Sequence, residues 1–213
     1  MPSRELRVSS ERGELIAPPP YLPLAAFAIV WLVTLVRIAD LKLRAGLNAI
    51  VVQGGNGRQG QLERVFAFSF AGAGVLAVVH AIDPALPRQL GAIPLLDRPL
   101  ITWSGATLAL AGALLVAAAQ ITMGRSWRIG VSPRERNALV TRGLYRLSRN
   151  PIYVGMVAAL AGVFLMVSDA VTLALLAVTS VAVSMQVRVE EEQLRAIHGD
   201  VFETYCARTR RWV

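Results

Sequence analysis

Two short stretches of the sequence concentrate ion-pairing and hydrogen-bonding side chains. The first is residues 143–155, where arginines precede Pro151 and an uncharged run that lasts until Asp169. Proline suits the first turn of a helix, so a cationic loop is predicted to lead directly into an apolar helix here. The second stretch is residues 188–192, an arginine and three glutamates that follow another apolar run.

The second stretch has helical spacing. Residues four apart on a helix share a face, so Arg188 and Glu192 are predicted to lie together, with Glu191 beside them. Glu190 then points away from this face. Carboxylates near lipid are costly unless cations balance them, and Arg188 and the arginines of residues 142–149 are the available partners. We therefore expect the Arg188–Glu192 face to meet the first stretch and form a pocket; a solvated, charged helix start below a membrane span is the alternative.

The composition predicts a membrane protein. Of the 213 residues, 54% are hydrophobic and only 17% are charged, against about 25% in soluble domains. The apolar residues form long blocks, which predict an all-α, polytopic membrane helical bundle with about five transmembrane helices. The blocks are residues 21–39, 65–82, 100–123, 152–167 and 170–187. Residues 1–20 form a polar lead-in, 124–150 a cytoplasmic cofactor-binding loop, and 188–213 a C-terminal cytoplasmic helix and tail that close the site.

Local signals indicate how the helices join and pack. Ser168 and Asp169 form the short link between the last two blocks and predict an antiparallel hairpin, and Gly199 ends or bends the helix that follows. The small residues of the third block suit close helix packing in lipid and would permit a homo-oligomer. Aromatic residues outside the blocks are interpreted as anchors at the membrane interface, namely Trp127, Phe202, Tyr205 and Trp212.

The basic residues indicate the orientation in the membrane. The formal net charge is +8, and 17 of the 22 basic residues belong to residues 40–64 with the flanking Arg37, to residues 124–150, or to the C-terminal tail. With five spans these segments share one side, which the positive-inside rule makes cytoplasmic, and the N-terminus is then extracytoplasmic. Anionic membrane lipids explain the charge without nucleic acid as a partner. One cysteine and two widely separated histidines provide no metal-ligand spacing.

The order of the motifs resembles one family. Residues 143–155, GLYRLSRNPIYVG, are similar to the G-x-Y…R-H-P-x-Y-x-G motif of isoprenylcysteine carboxyl methyltransferases and the related phospholipid methyltransferases. Downstream, RVEEE at 188–192 resembles the family's Arg-x-x-Glu-Glu motif, and GDVFETY at 199–205 its Gly-x-x-Tyr/Phe-x-x-Tyr tail. Upstream, NALVTRG at 137–143 resembles H-x-L-V-T-x-G. The ordered set covers about residues 120–210.

The resemblance implies an integral-membrane methyltransferase that uses S-adenosylmethionine, bound in a cytoplasm-facing pocket closed by the loop, the last two spans and the C-terminal helix. Carried over by position, the cofactor-binding residues are Asn137, Ala138, Leu139, Val140, Tyr145, Arg149, Asn150, Pro151, Ile152, Tyr153, Glu191 and Glu192. Arg188 and Glu192 are the implied catalytic residues, and Arg188 also faces the polar group of the substrate. Asn137 and Asn150 stand where the family often has histidine, and asparagine cannot become cationic at pH 7.

Methyl transfer also fits the residue types present. It is an in-line displacement that mainly requires alignment and exclusion of water, without a protein nucleophile or a metal. The expected acceptor is a lipophilic, isoprenylcysteine-like carboxylate that enters from the bilayer and is oriented by Arg188. The alternative is a phospholipid or other lipid amine, with Glu191 or Glu192 as the base. A non-enzymatic membrane scaffold or transporter is a third hypothesis, and the scarcity of ionisable residues at the span centres argues against a transporter.

Overall fold

The computed structural model of the chain describes residue 16 and residues 18–46, 58–127 and 138–213, and these form helices joined by short connections. The helices are α1 (Leu22–Ala45), α2 (Arg58–Ile82), α3 (Leu86–Gln89), α4 (Pro99–Met123), α5 (Pro151–Val167), α6 (Ala170–His198) and α7 (Asp200–Arg208), with 3-10 turns at Gly124–Ser126 and Gly143–Arg146. In the described part of the chain, only isolated β-bridges accompany them. The predicted all-α fold is confirmed.

Four of the described helices, α1, α2, α4 and α6, are long and apolar enough to cross a membrane. The helix α5 is also apolar but has 17 residues. At about 1.5 Å per residue it reaches roughly 26 Å, less than the ~30 Å of a hydrocarbon core. The predicted polytopic bundle is therefore confirmed, with four full-length spans and a fifth helix that is shorter.

The helix α1 extends beyond the apolar block that predicts it. The block ends at residue 39, whereas the helix continues to Ala45. Asp40 stabilises this extra turn, because it pairs with Arg37 at 2.6 Å and with Arg44 at 2.8 Å, the two spacings at which helical side chains meet. Apolarity marks the part of the helix that suits lipid, and ion pairs continue the helix past it.

The helix α6 joins the predicted fifth span and the predicted C-terminal helix into one element. It passes residue 187 without a break and ends at Gly199, which has a φ of +52°. The sequence predicts this end, because glycine adopts the left-handed region without the steric cost of a Cβ. The charged residues 188–192 therefore lie on the same helix as the span.

Small residues let α4 and α5 pack with their backbones in contact. A Cβ added to Gly112 would lie 2.6 Å from the carbonyl oxygen of Gly155, and one added to Gly105 would lie 2.7 Å from that of Gly162. The close packing predicted for the third apolar block is confirmed, and its partner is α5 of the same chain. A homo-oligomer stays a prediction. This antiparallel contact places the start of α5 beside the end of α4.

The turn between α5 and α6 forms the predicted hairpin. Ser168 has a φ of +55°, and Asp169 caps α6 by accepting hydrogen bonds from the backbone and the hydroxyl of Thr172 at 2.8 and 2.7 Å. Asp169 is 1% exposed, so this cap satisfies a buried carboxylate. The nitrogen of Ala170 donates to the carbonyl of Gly91 at 2.9 Å, which ties the connection between α3 and α4 to the turn.

The described parts of the three basic segments lie at one end of the bundle. Arg37 of α1 donates a 2.6 Å hydrogen bond to the carbonyl of Gly124, just after α4. Arg149 donates one of 2.6 Å to the carbonyl of Thr209, in the C-terminal tail. This arrangement agrees with the five-span topology, and the assignment of this end to the cytoplasm stays a prediction. Outside the described residues lie 1–15 and 17 of the polar lead-in, 47–57 of the first basic segment and 128–137 of the second.

Candidate active site

The junction, residues 143–155, is held by α4 and by the C-terminal helix α7. Tyr145 is 5% exposed, and its hydroxyl donates to the sulfur of Met123, at the end of α4, over 3.6 Å. Its carbonyl oxygen accepts a 2.6 Å hydrogen bond from the hydroxyl of Tyr205 in α7. Burial raises the pKa of Tyr205 to about 12, so this hydroxyl keeps its proton at neutral pH and remains a donor. The loop before α5 is therefore fixed on two sides.

A buried glutamate connects the junction to the C-terminal tail. The side chain of Glu191 is 5% exposed, and its oxygens lie 3.0 Å from Nε of Arg149 and 2.7 Å from Nη2 of Arg211. The hydrogen bond that Arg211 donates to Glu191 raises the pKa of Arg211, which stays cationic. Charge-assisted bonds of this kind are among the strongest in proteins. The prediction that an arginine of residues 142–149 balances a carboxylate of residues 188–192 is confirmed for Arg149 and Glu191.

A second glutamate of α6 meets the junction directly. Oε1 of Glu190 accepts hydrogen bonds from the hydroxyl of Tyr153 at 2.5 Å and from Nε2 of Gln186 at 2.9 Å. Within the described residues no cation pairs with Glu190. Oε1 of Gln186 is buried there without a hydrogen-bond partner. The ring of Phe66 in α2 lies 6.1 Å from that of Tyr153. The polar cluster of Tyr153, Gln186 and Glu190 thus contains a carboxylate and an amide oxygen with unused capacity to accept.

Arg188 and Glu192 are both exposed. No hydrogen bond or ion pair of the described residues joins either side chain to the junction. In the described structure the expected contact of this face with the junction is made by Glu191, and the catalytic and cofactor-binding roles expected of Arg188 and Glu192 stay predictions. Glu190 does point away from them, as predicted, and this direction brings it against Tyr153. The rotation of α6 decides the matter, because the stripe that it buries ends at Glu191, which is 4% exposed.

The segment of residues 138–140, predicted to line the cofactor through its backbone, lies near the end of α4. The hydroxyl of Ser126 donates to the carbonyl of Ala138 over 3.5 Å. Ala138 is exposed, whereas Leu139 and Val140 are half-buried. The segment is therefore reachable from solvent beside the junction. Asn137, predicted to join it, lies outside the described residues.

The side chains of Asn150 and Ile152 face the protein. Asn150 is 9% exposed, and its amide donates a 3.1 Å hydrogen bond to the carbonyl of Arg211. Ile152 packs against the hydrophobic cluster of Leu41 and Trp127. Pro151, between them, is buried at the start of α5. The cofactor roles predicted for these residues stay predictions; in the described structure they hold the junction to the tail and to α1.

The aromatic residues near the site are buried. Phe202 is 0%, Tyr205 9% and Trp127 3% exposed, so their interpretation as anchors at the membrane interface is wrong. Phe202 and Tyr205 lie three residues apart in the short helix α7, and this spacing on one helix face could have identified them as core residues. Arg211 had no comparable local signal, because its partners are 20 and 61 residues away in the sequence.

Comparison with known protein families finds a match for the region that contains most of these residues. Residues 100–201 match the family model described as phospholipid methyltransferase. No curated protein sequence matches the chain. Together with the long apolar helices, the match supports an integral membrane protein with a methyltransferase-like region. Residues 100–201 are similar to the phospholipid methyltransferases, which agrees with the resemblance inferred from the motifs.

Proposed function

We propose that the chain is an S-adenosylmethionine-dependent methyltransferase that methylates the amine of a lipid headgroup. The observation that carries the proposal is Glu190, a carboxylate that touches Tyr153 and has no cationic partner among the described residues. An unpaired carboxylate near lipid is costly unless a ligand balances its charge. An amine-bearing headgroup supplies the missing positive charge.

The polar cluster also fits the cofactor that the family implies. When bound, S-adenosylmethionine supplies an activated methyl group. Its cationic and hydroxyl groups suit acceptors such as the buried Oε1 of Gln186, which has no partner in the described structure. The backbone of residues 138–140 and the fixed ring of Tyr145 border the same junction. These residues are the ones that would hold it.

Under this proposal Glu190 acts as the base. An ammonium group has no free lone pair, so the acceptor nitrogen must lose a proton before it can take a methyl group, and the carboxylate of Glu190 accepts that proton. Tyr153 and Gln186 both donate to the same oxygen of Glu190, which fixes the carboxylate in place. The hydroxyl and the amide are thus positioning groups, and the carboxylate is the one that moves a proton.

An apolar crevice supports a lipophilic acceptor. Helices α1, α2, α5 and α6 line it with residues that include Phe27, Phe70, Leu160 and Thr179. Met156, also in the lining, lies one helical turn from Tyr153, and Thr179 lies two turns from Gln186. The polar cluster therefore lies at one end of the crevice. A lipid acceptor would place its headgroup at the polar cluster and its hydrocarbon chain in the apolar crevice.

Carboxyl methylation of an isoprenylcysteine-like substrate is the second candidate. Arg188 favours it, because this arginine is exposed and has no ion pair within the described residues. An exposed cation of this kind can orient a carboxylate acceptor. However, Glu190 would repel a carboxylate placed beside Tyr153. The amine acceptor is therefore the first candidate and the carboxylate acceptor the second, whereas the sequence favoured the carboxylate.

A methyl-transfer assay distinguishes the candidates. The purified chain in lipid nanodiscs receives S-adenosylmethionine with a labelled methyl group, and either phosphatidylethanolamine or a prenylcysteine analogue as acceptor. We expect label in the amine lipid, and we expect Glu190→Gln to lower the rate about 100-fold, the lower range for loss of a general base. Glu203→Gln, an equivalent change at an exposed glutamate of α7, is the matched control and should leave the rate unchanged.

Two outcomes contradict the proposal. Label in the prenylcysteine analogue that is lost in Arg188→Gln but kept in Glu190→Gln would select the second candidate. Absence of saturable S-adenosylmethionine binding, measured by calorimetry on the wild-type chain in nanodiscs, would exclude both.

A further inference from the structure

The C-terminal residues 209–211 run alongside residues 148–150, which lead into α5. The pairing includes an isolated parallel β-bridge between Ser148 and Arg210. Every carbonyl of residues 209–211 accepts a hydrogen bond from residues 148–150. The bonds are Arg149 Nη1 to Thr209 at 2.6 Å, Arg149 N to Arg210 at 2.9 Å, Ser148 Oγ to Arg211 at 3.3 Å and Asn150 Nδ2 to Arg211 at 3.1 Å.

The side chain of Arg211 holds this segment to the helix α6. Its Nη2 donates to Oε2 of Glu191 at 2.7 Å, and its Nε donates to both carboxylate oxygens, to Oε1 at 3.2 Å and to Oε2 at 3.1 Å. Arg149 also donates to Oε1, at 3.0 Å. This planar geometry, with two nitrogens on two carboxylate oxygens, is typical of arginine, and lysine does not reproduce it. Arg211 is therefore the side chain of residues 209–211 that joins them to α6 through an ion pair.

We propose that residues 209–211 form a latch, and that Arg211 is a positioning residue for the proposed methyl transfer. The latch holds Asn150 directly before Pro151, the first residue of α5, and Tyr153 follows within the same turn. Release of the latch would free the start of α5 and loosen the contact between Tyr153 and Glu190. Arg211 acts through Glu191 and Asn150, and it does not touch the acceptor. Only the kinetic effect expected of the latch rests on the proposed function.

Kinetics on three variants test the role. Arg211→Ala removes the pairing, and Arg211→Lys keeps the charge without the two-bond geometry. Arg210→Ala removes an equal charge from the exposed neighbour, which contributes only its backbone to the latch. We expect Arg211→Ala to raise KM for S-adenosylmethionine about tenfold, the effect of one charged hydrogen-bonding group, with Arg211→Lys between it and wild type. A change that only reduced the amount of folded protein would lower the rate and leave KM unchanged.

The single cysteine of the chain supplies a second readout that needs no activity. Cys206 lies in α7 just before the latch and is only partly exposed, and its carbonyl accepts a 3.3 Å hydrogen bond from Arg149. We expect a thiol reagent to modify Cys206 several-fold faster in Arg211→Ala than in wild type or Arg210→Ala. Equal modification rates in all three proteins would overturn the latch, whatever the activity. If Arg211→Ala is modified faster and the wild-type chain transfers no methyl group, the latch is supported and the proposed function is not.

Discussion

The body and the start of the helix α5 are held by opposite means. The body of α5 lies against α4 through glycines, where backbone meets backbone. Its start is held by an ion-paired cluster, in which Glu191 joins Arg149 to Arg211. Dispersion between close backbones depends on size and shape, whereas a buried ion pair depends on keeping both charges. The glycine contact between α4 and α5, called the seam below, should therefore be sensitive to added volume, and the ion-paired cluster should be sensitive to lost charge.

The largest effect should come from breaking the ion-paired cluster. Glu191→Ala leaves Arg149 largely buried with its main charged partner removed, and loss of one partner of a buried pair costs about 3 kcal/mol of unfolding free energy. Thermal unfolding of the purified protein in detergent measures the loss. Glu192→Ala, the same change one residue along on the exposed face, is the control. Equal losses in the two variants would show that the cluster does not stabilise the fold.

The seam should be next in size. Gly112→Ala would place a Cβ 2.5 Å from the nitrogen of Ala159, so the two helices must separate. Overpacking of this kind costs about 1–3 kcal/mol. Gly72→Ala is the matched control, because its Cβ would meet only Leu175 at an ordinary 3.5 Å. If Gly112→Ala and Gly72→Ala lower the free energy of unfolding equally, backbone contact in the seam is not what holds α5.

A smaller effect is expected where α7 holds the junction. Tyr205→Phe removes the hydroxyl that donates to the carbonyl of Tyr145 and keeps the ring. The loss of one such hydrogen bond costs about 1 kcal/mol. Tyr21→Phe, at a residue that is 60% exposed, controls for the change itself. A thermal midpoint for Tyr205→Phe that equals the control's would mean that α7 is held by its apolar contacts alone.

The smallest effect should be at the end of α1. Arg44 pairs with Asp40 at 2.8 Å, but its side chain is 86% exposed. Exposed pairs at this spacing contribute about 0.3–0.5 kcal/mol and are screened by salt. Arg44→Ala should therefore shift unfolding slightly at low salt and not at all at high salt. A shift that persists at high salt would show that Arg44 contributes something other than this ion pair.

The helices and their ends were largely predictable from local signals. Long apolar blocks predicted the spans, Pro151 predicted the start of α5, and Gly199 predicted the end of α6. These signals are local because a bilayer selects apolar residues one helix at a time, and because proline and glycine act on their own backbone. The end of α1 was not predicted, because ion pairs extend this helix past its apolar part.

The candidate site was predictable only in part. Charge balance alone indicated that an arginine before α5 would pair with a glutamate after the last span, and Arg149 and Glu191 do so. The sequence did not show which of the three glutamates turns towards the junction, because a span that is apolar on every face carries no pattern to show which face turns inward. The latch could not be seen either, since its bonds join residues about 60 apart in the sequence.

The sequence by itself determined that this is a helical membrane protein with methyltransferase motifs, because hydropathy, glycine, proline and motif order are properties of short segments. Only the tertiary structure decided the rotation of α6, which turns Glu190 towards Tyr153 and Glu191 towards two arginines while leaving Arg188 and Glu192 in the open. That rotation follows from how the buried residues Thr179, Val183 and Val187 pack against the neighbouring helices. Packing is a property of surfaces that meet only after the chain has folded.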